Sequence, residues 1–379
     1  MQSADAVVIG AGIQGLAIAH ELASRDPSAS VVVVDAGLVG AGTSLLGGVG
    51  VRTQFAHATN VALSLRAIEM MATWRERFGV DPDFTPSGYL YLASTPGHVA
   101  VRESVADTAR TAGARIDRLG PDEIAELLPG LDVSGVLGGW HSPSDGMLWA
   151  DLVVGSLRDA CARLGVRIVE GSPARLRAVG GRIESVETAD GGWATRTAIV
   201  AAGLASRALL NPFGVEVPVR SQRGQIFLSR RPASLPPRTP LVLDMSTRAY
   251  FAGTRKGLVL GGDDREDGDD FDGADAARIV ALVRRRVRDL HPGLVFGGQA
   301  GTRATSPDDL GILGEVPGLE GAVLATGFGH HGFMHAVPAA EILVDLLEGR
   351  TPAIDPSPMD PGRFGEGIIA DSATPLPGH

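Results

Sequence analysis

Ala6-Val7-Val8-Ile9, Gly10-Ala11-Gly12-Ile13-Gln14-Gly15 and Leu16-Ala17-Ile18-Ala19 follow one another without a break. An apolar run, a glycine turn and a second apolar run read as strand, turn and helix, with the glycines in GxGxxG order. Each glycine has its own task. Gly10 makes the tight turn, Gly12 lets the backbone approach a pyrophosphate, and Gly15 lets helix and strand pack closely. The helix opens at Ile13 and Gln14 and offers phosphate its unpaired N–H groups and the positive end of its dipole. A second strand, Val31-Val32-Val33-Val34, ends in Asp35 and Ala36. That is the spacing of an acid that bonds an adenosine ribose hydroxyl. GxGxxG alone is weak; strand, glycines, helix, strand and acid together read as a dinucleotide site.

The 379 residues suffice for about two domains. A formal charge of -10 argues against nucleic acid, which needs basic surface to neutralise phosphate. Lys256 is the sole lysine, so Schiff-base chemistry has one candidate. Cys161 is the sole cysteine, which leaves no disulfide framework and no thiolate metal cluster. It falls in an amphipathic stretch, Leu152 to Leu164, and reads as a buried structural thiol. No histidine or carboxylate spacing suits a metal. No apolar stretch reaches the roughly 18 to 20 residues of a membrane span. The first strand starts too early for a leader to precede it, so the chain is expected in the cytoplasm.

The segment after Asp35 is a glycine-rich loop, suited to wrap a ligand. Helical spacing of apolar residues follows from Asn60 to Phe78, with further helices expected over Val99–Ala112, Asp122–Leu128 and Leu152–Leu164. Gly88 to Ala93 reads as a strand, Val166 to Val169 as another, and Arg182–Glu187 with Trp193–Thr197 as a hairpin. Ala198-Ile199-Val200-Ala201-Ala202-Gly203 is a buried strand ending in a glycine turn. Gly224–Leu228, Leu241–Asp244, Ala249–Ala252 and Gly257–Gly262 are short strands between turns, the pattern of an antiparallel sheet. Asp263 to Asp272 is an acidic connection without the closing glutamate of a calcium loop. Ala274 to Leu290 reads as one helix, with Arg284-Arg285-Arg286 on its solvent face. An apolar strand at Ala322 to Thr326 and a helix from Gly332 to Leu347 close the fold.

These parts, in this order, resemble the FAD-dependent D-amino-acid oxidase superfamily. The likeness is nearest to its glycine oxidases, sarcosine oxidase β-type subunits and dye-linked proline dehydrogenase β-type subunits. It runs from Val7 to about Phe364. It rests most on GTSLLGGVGVRTQF (Gly42–Phe55), AAG (Ala201–Gly203), GTRATSPDDLGILG (Gly301–Gly314) and GFGHHGFMHAVPAAEIL (Gly327–Leu343). The resemblance implies a mixed α/β fold, with a Rossmann-like FAD-binding domain interleaved with an antiparallel substrate domain. The first is expected over residues 1–85, 146–218 and 298–365, the second over 86–145 and 219–297, with a tail at 366–379.

The cofactor implied is FAD rather than NAD. It is expected to be non-covalent, because no cysteine falls between Gly297 and Ser306, where covalent relatives carry one. Asp35 replaces a more usual glutamate and still suits a ribose hydroxyl. Thr43 and Ser44 match hydroxyls at the flavin-side phosphate, Gly47 and Gly48 a turn beside the isoalloxazine, and Ala174 a backbone contact to adenine. Ala202 and Gly203 end a strand at the cofactor. The loop from Gly327, with Gly329, His331, Gly332, Phe333 and Met334, opens a helix aimed at the flavin O2–N1 edge, where its dipole favours negative charge.

The activity implied is oxidation of a C–N bond beside a carboxylate, with hydride passing to flavin N5 and the imine hydrolysed afterwards. Arg303 matches the carboxylate-binding arginine of glycine oxidases, and Arg52 the arginine of the sarcosine and proline branch. A guanidinium grips both oxygens of a carboxylate. Either arginine can instead sit at the surface or prop the flavin. Tyr250 matches a tyrosine that meets the carboxylate or closes the site, and also suits core packing. His330 replaces a common glycine and either tunes the flavin or faces solvent; His57 is a weaker pocket candidate. Met334 stands where monomeric sarcosine oxidases carry lysine, which puts fast reaction with oxygen in doubt. The electron acceptor is thus oxygen, or a partner subunit or dye, and oligomer formation stays open. A 2-hydroxy-acid dehydrogenase of the same superfamily, a catalytic β-type subunit of a hetero-oligomer and a flavin-free NAD protein are the alternatives.

Overall fold

In a computed structural model the chain is described at residues 1–45, 50–262 and 272–365. The acidic connection up to Phe271 and the tail from 366 lie outside these residues, as do Gly47 and Gly48. The opening stretch forms strand β1 (Ala6–Ile9), helix α1 (Ile13–Arg25) and strand β2 (Val31–Val34). Every residue of β1 and β2 is buried, as continuous valine and isoleucine runs require inside a parallel sheet covered on both faces. Six strands make that sheet, in the order Ile312–Glu315, Ala322–Thr326, Ala198–Val200, β1, β2, Arg167–Val169. All pairs are parallel except the one between Ile312–Glu315 and Ala322–Thr326. Helix α1 packs on the sheet beside the long helix α2 (Ala58–Phe78) and the final helix Gly332–Leu347.

A second sheet has eight strands. Its sixth strand in order is β3 (Tyr89–Ala93), followed in the chain by helix α3 (Pro96–Thr111). The order is Val295–Thr305, Arg220–Ser229, Gly257–Gly262, Ala249–Thr254, Leu241–Asp244, β3, Gly138–Ser142, Asp117–Leu119. The sheet is antiparallel apart from one parallel pair, Leu241–Asp244 against β3, which joins strands far apart in sequence. Successive side chains alternate between its faces. Leu90, Leu92, Val242, Phe251 and Leu260 face one way, into a core with Ile124, Ile279 and Val283 from two short helices. Tyr89, Tyr91, Leu243 and Tyr250 face the other way, toward the first sheet. Strand Val295–Thr305 crosses the expected boundary at 297/298 and belongs wholly to this sheet. A small four-stranded sheet, Gln2–Ser3, Gly191–Ala194, Arg182–Thr188 and Arg175–Val179, flanks the first.

One helix departs from its sequence reading. It spans Asp275–Val283 and stops short of Leu290. Arg286 is not on a solvent face: it is 7% exposed and its Nε donates to Asp244 Oδ2 at 2.6 Å. It also donates to the Asp132 and Ser134 carbonyls and to Ser94 Oγ. These core acceptors hold the chain in turns beyond Val283. Arg284 and Arg285 remain exposed. Among the described residues no helix is long and apolar enough to cross a membrane.

Arg286→Ala leaves Asp244 buried without its cation. It is expected to cost about 3–5 kcal/mol in urea unfolding, while Arg285→Ala stays within about 0.5 kcal/mol of wild type.

Candidate active site

The close approach of three backbones builds the site. Gly10 has φ +116°, and a Cβ there would overlap the Ala201 carbonyl; a Cβ at Gly15 would overlap the Gly10 carbonyl. Neither place admits a side chain, so the end of β1, the first turn of α1 and the end of Ala198–Val200 meet at contact distance. Asp35 locks this turn, its Oδ2 accepting from Ala11 N at 2.6 Å and its Oδ1 from Gly37 N at 2.7 Å. Ser44 Oγ accepts from Ile13 N at 2.9 Å, so its hydroxyl sits at the mouth of the helix dipole. Gln14 Nε2 donates to the Gly332 carbonyl at 2.9 Å and ties α1 to the start of the final helix.

A cavity of about 1180 Å³ runs from this turn to the aromatic face of the eight-stranded sheet. That exceeds the roughly 300–1,000 Å³ of an ordinary small-molecule site, and suits a dinucleotide together with a small substrate. Gly10, Gly12, Ile13, Gln14, Asp35, Ala36, Thr43, Ser44, Ala174, Ala202 and Gly203 line one end. Arg52, Tyr250, Arg303, Gly329, His330, Gly332, Phe333 and Met334 line the rest. Gly15 is not in the wall; it packs behind it. His331 also lies off the wall. It is fully buried, with Nε2 3.4 Å from Asp309 Oδ1 and its ring edge-on to Phe55. Residues 329–331 form a 3₁₀ turn, which rotates neighbouring side chains by a third of a circle, so His330 and His331 part company. His57 precedes α2 and is not in the wall. Cys161 is buried against the Leu16 carbonyl, and burial raises its thiol to about 12.

Cations and phenols make up the far end. Arg52 is half-buried, donates from Nη1 to Tyr91 Oη at 2.7 Å and lies 4.4 Å from the Phe55 ring centroid. Burial opposes its charge, but the Tyr91 and Tyr89 hydroxyls and Asp309 outweigh burial and raise its pKa. No carboxylate among the described residues pairs with it. Arg303 folds over Gly224, where a Cβ would collide with its guanidinium. Tyr250 lies over Gly261, its register partner, for the same reason.

Three features went unread in the sequence. Tyr89 and Tyr91 join the expected Tyr250 in lining this cavity, so all 3 tyrosines of the chain meet there. The i, i+2 spacing of Tyr89 and Tyr91 on a strand was a legible sign of a shared face. Asp145 left no such sign. It is fully buried below the loop that carries Arg52, and accepts from Thr53 N at 2.9 Å and Thr53 Oγ1 at 2.8 Å. Burial pushes its carboxyl up to about 7, against the pull of those bonds, Ser142 and Arg52. Arg102 is the third.

Together the fold and this cavity define a flavin-dependent oxidoreductase. The chain belongs to the FAD dependent oxidoreductase (DAO) family, whose sequence profile matches residues 5–346. It is 28% identical to glycine oxidase of Pseudomonas putida over 387 residues, covering 96% of this chain and 100% of that protein. In fold it resembles L-proline dehydrogenase from P. horikoshii, with TM-score 0.88, 24% identity and coverage of 96% of this chain and 98% of that one. Glycine oxidase from Geobacillus kaustophilus gives TM-score 0.85 at 22% identity, covering 95% of this chain and 98% of that one.

Below about pH 7 Asp145 holds a proton in the native state that the unfolded chain releases near pH 4. The stability tied to that proton is full below pH 4 and is lost as pH rises through about 7. Urea unfolding of wild type and Asp145→Asn between pH 4.5 and 8 is expected to show wild type losing ground, by at most about 1.4 kcal/mol per pH unit.

Proposed function

We propose that this chain oxidises the C–N bond of a small amino or imino acid, with the substrate carboxylate held by Arg52 and Arg303. One observation carries the reading. A half-buried guanidinium, Arg52, stands in the wall of the cofactor cavity without a carboxylate partner among the described residues. A desolvated cation needs an anion, and a planar fork fits two carboxylate oxygens. FAD, bound along the glycine turn, supplies the two-electron acceptor.

The chain's own groups do the rest. Arg52 and Arg303 fix the carboxylate from the sheet side. Tyr91 Oη accepts from Arg52 and retains its own proton for an acceptor in the cavity. Leu241, Leu243 and Met147 supply apolar wall and keep water from the α-carbon. The guanidinium groups disfavour a second cation, so the substrate amine is stabilised in its neutral form, the one that gives up electrons. Catalysis then rests on positioning rather than on a dedicated base. The glycine oxidase of P. putida and the L-proline dehydrogenase of P. horikoshii support an amino-acid substrate by their names. We read the cofactor as non-covalent, since Cys161 is not in the cavity wall, and the chain as cytoplasmic, acting alone with oxygen or with a partner as acceptor.

Anaerobic bleaching of the flavin by glycine, N-methyl amino acids or proline tests the reading; bleaching by 2-hydroxy acids alone overturns it. Arg303→Ala and Arg52→Met are each expected to lower the bimolecular rate of flavin reduction by about 10- to 100-fold, the worth of a charge-assisted hydrogen bond. Turnover by the purified chain in air separates oxygen from a partner as acceptor.

A further inference from the structure

Behind the wall of the cavity lies a further arginine. Arg102, on α3, is 1% exposed. Its guanidinium carbon sits 3.9 Å from the centroid of the Tyr91 ring. Its Nη2 donates to Gln54 Oε1 at 2.7 Å, and its Nε has no partner among the described residues. No carboxylate among those residues pairs with it. Burial, and then Arg52, lower its pKa to about 10 against the pull of Tyr91, so it keeps its charge at neutral pH.

A buried cation without a counter-ion is costly, and a methionine or leucine would pack there at less expense. The arrangement makes sense only with what lies in front of it. Tyr91 stands between two guanidinium groups: Arg102 against its ring face and Arg52 on its hydroxyl. Gln54 belongs to the same loop as Arg52 and is itself held by donating to the Trp140 carbonyl and Ser142 Oγ. Arg102 therefore steadies Arg52 by two routes, through the Tyr91 ring and through Gln54. Its charge on the ring also makes the Tyr91 hydroxyl a stronger donor, and adds to the positive potential of the cavity end.

We infer that Arg102 is a positioning residue that sets the preference of the cavity for carboxylates over neutral isosteres, acting through Tyr91 and Arg52 without touching the ligand. The inference rests on the carboxylate reading of Arg52 and Arg303. It predicts a loss confined to charged ligands, which a packing role would not produce.

The test is titration of the FAD-loaded protein with acetate and with acetamide, followed by the change in flavin absorbance. Wild type is expected to bind acetate at least tenfold more tightly than acetamide. Arg102→Met is expected to weaken acetate about tenfold and leave acetamide within twofold. Arg102→Lys, which keeps the charge, is expected to hold acetate within threefold of wild type. Arg102→Gln, a second neutral variant, carries the same expectation as Arg102→Met should the latter not fold. Equal loss of both ligands in the neutral variants, or loss of neither, overturns the role of Arg102. A wild type that does not distinguish acetate from acetamide overturns the carboxylate reading itself.

Discussion

The backbone contact among Gly10, Gly15 and Ala201 is the constraint on which the rest of the site depends. With any side chain at Gly10 or Gly15, β1 and α1 would have to separate, and the helix N-terminus would swing away from the sheet. Held as it is, the helix points its free N–H groups along the cavity, beside the Asp35 carboxylate and the Ser44 hydroxyl. Gln14 carries the same constraint to the final helix through the Gly332 carbonyl. Two helix N-termini thus converge on one cavity from elements more than 300 residues apart in the chain, |i−j| being 318 for that bond. Their dipoles favour negative charge at two places along that cavity.

The eight-stranded sheet faces the cavity with side chains rather than helix ends. Its cavity face offers phenols, leucines and guanidinium groups, and the Asp145 carboxylate below the Arg52 loop is tied by Thr53. Excess positive charge in a place of low dielectric is unstable without a ligand anion. The sheet tolerates it because the cations lie on aromatic rings: Arg52 near Phe55 and Arg102 on Tyr91. Ring faces soften the desolvation of a guanidinium without cancelling its charge, so the charge stays available to a substrate.

Local patterns in the sequence were enough for much of the scaffold. The valine runs of β1 and β2, the GxGxxG turn and the glycine-opened final helix each carry their instruction within a few neighbouring residues. So does Cys161, whose amphipathic setting already implied burial. Arg286 shows where such reading ends. Three consecutive arginines look alike in sequence, yet one of them meets Asp244 and two carbonyls inside the protein. His330 and His331 are the same lesson at one-residue resolution: a 3₁₀ turn sends one to the cavity and the other to Asp309.

The dinucleotide half was legible because a phosphate cradle is made of short-range backbone geometry: a turn, a helix start and an acid one strand away. The motifs also named Arg52, Arg303 and Tyr250. How these stand to one another, with Tyr89, Tyr91, Arg102 and Asp145 beside them, comes from the folded chain. Those residues meet through strand register and through helix α3 packed on the sheet. Such pairings are long-range, and a cation on the face of a distant ring leaves no periodicity or spacing along the chain.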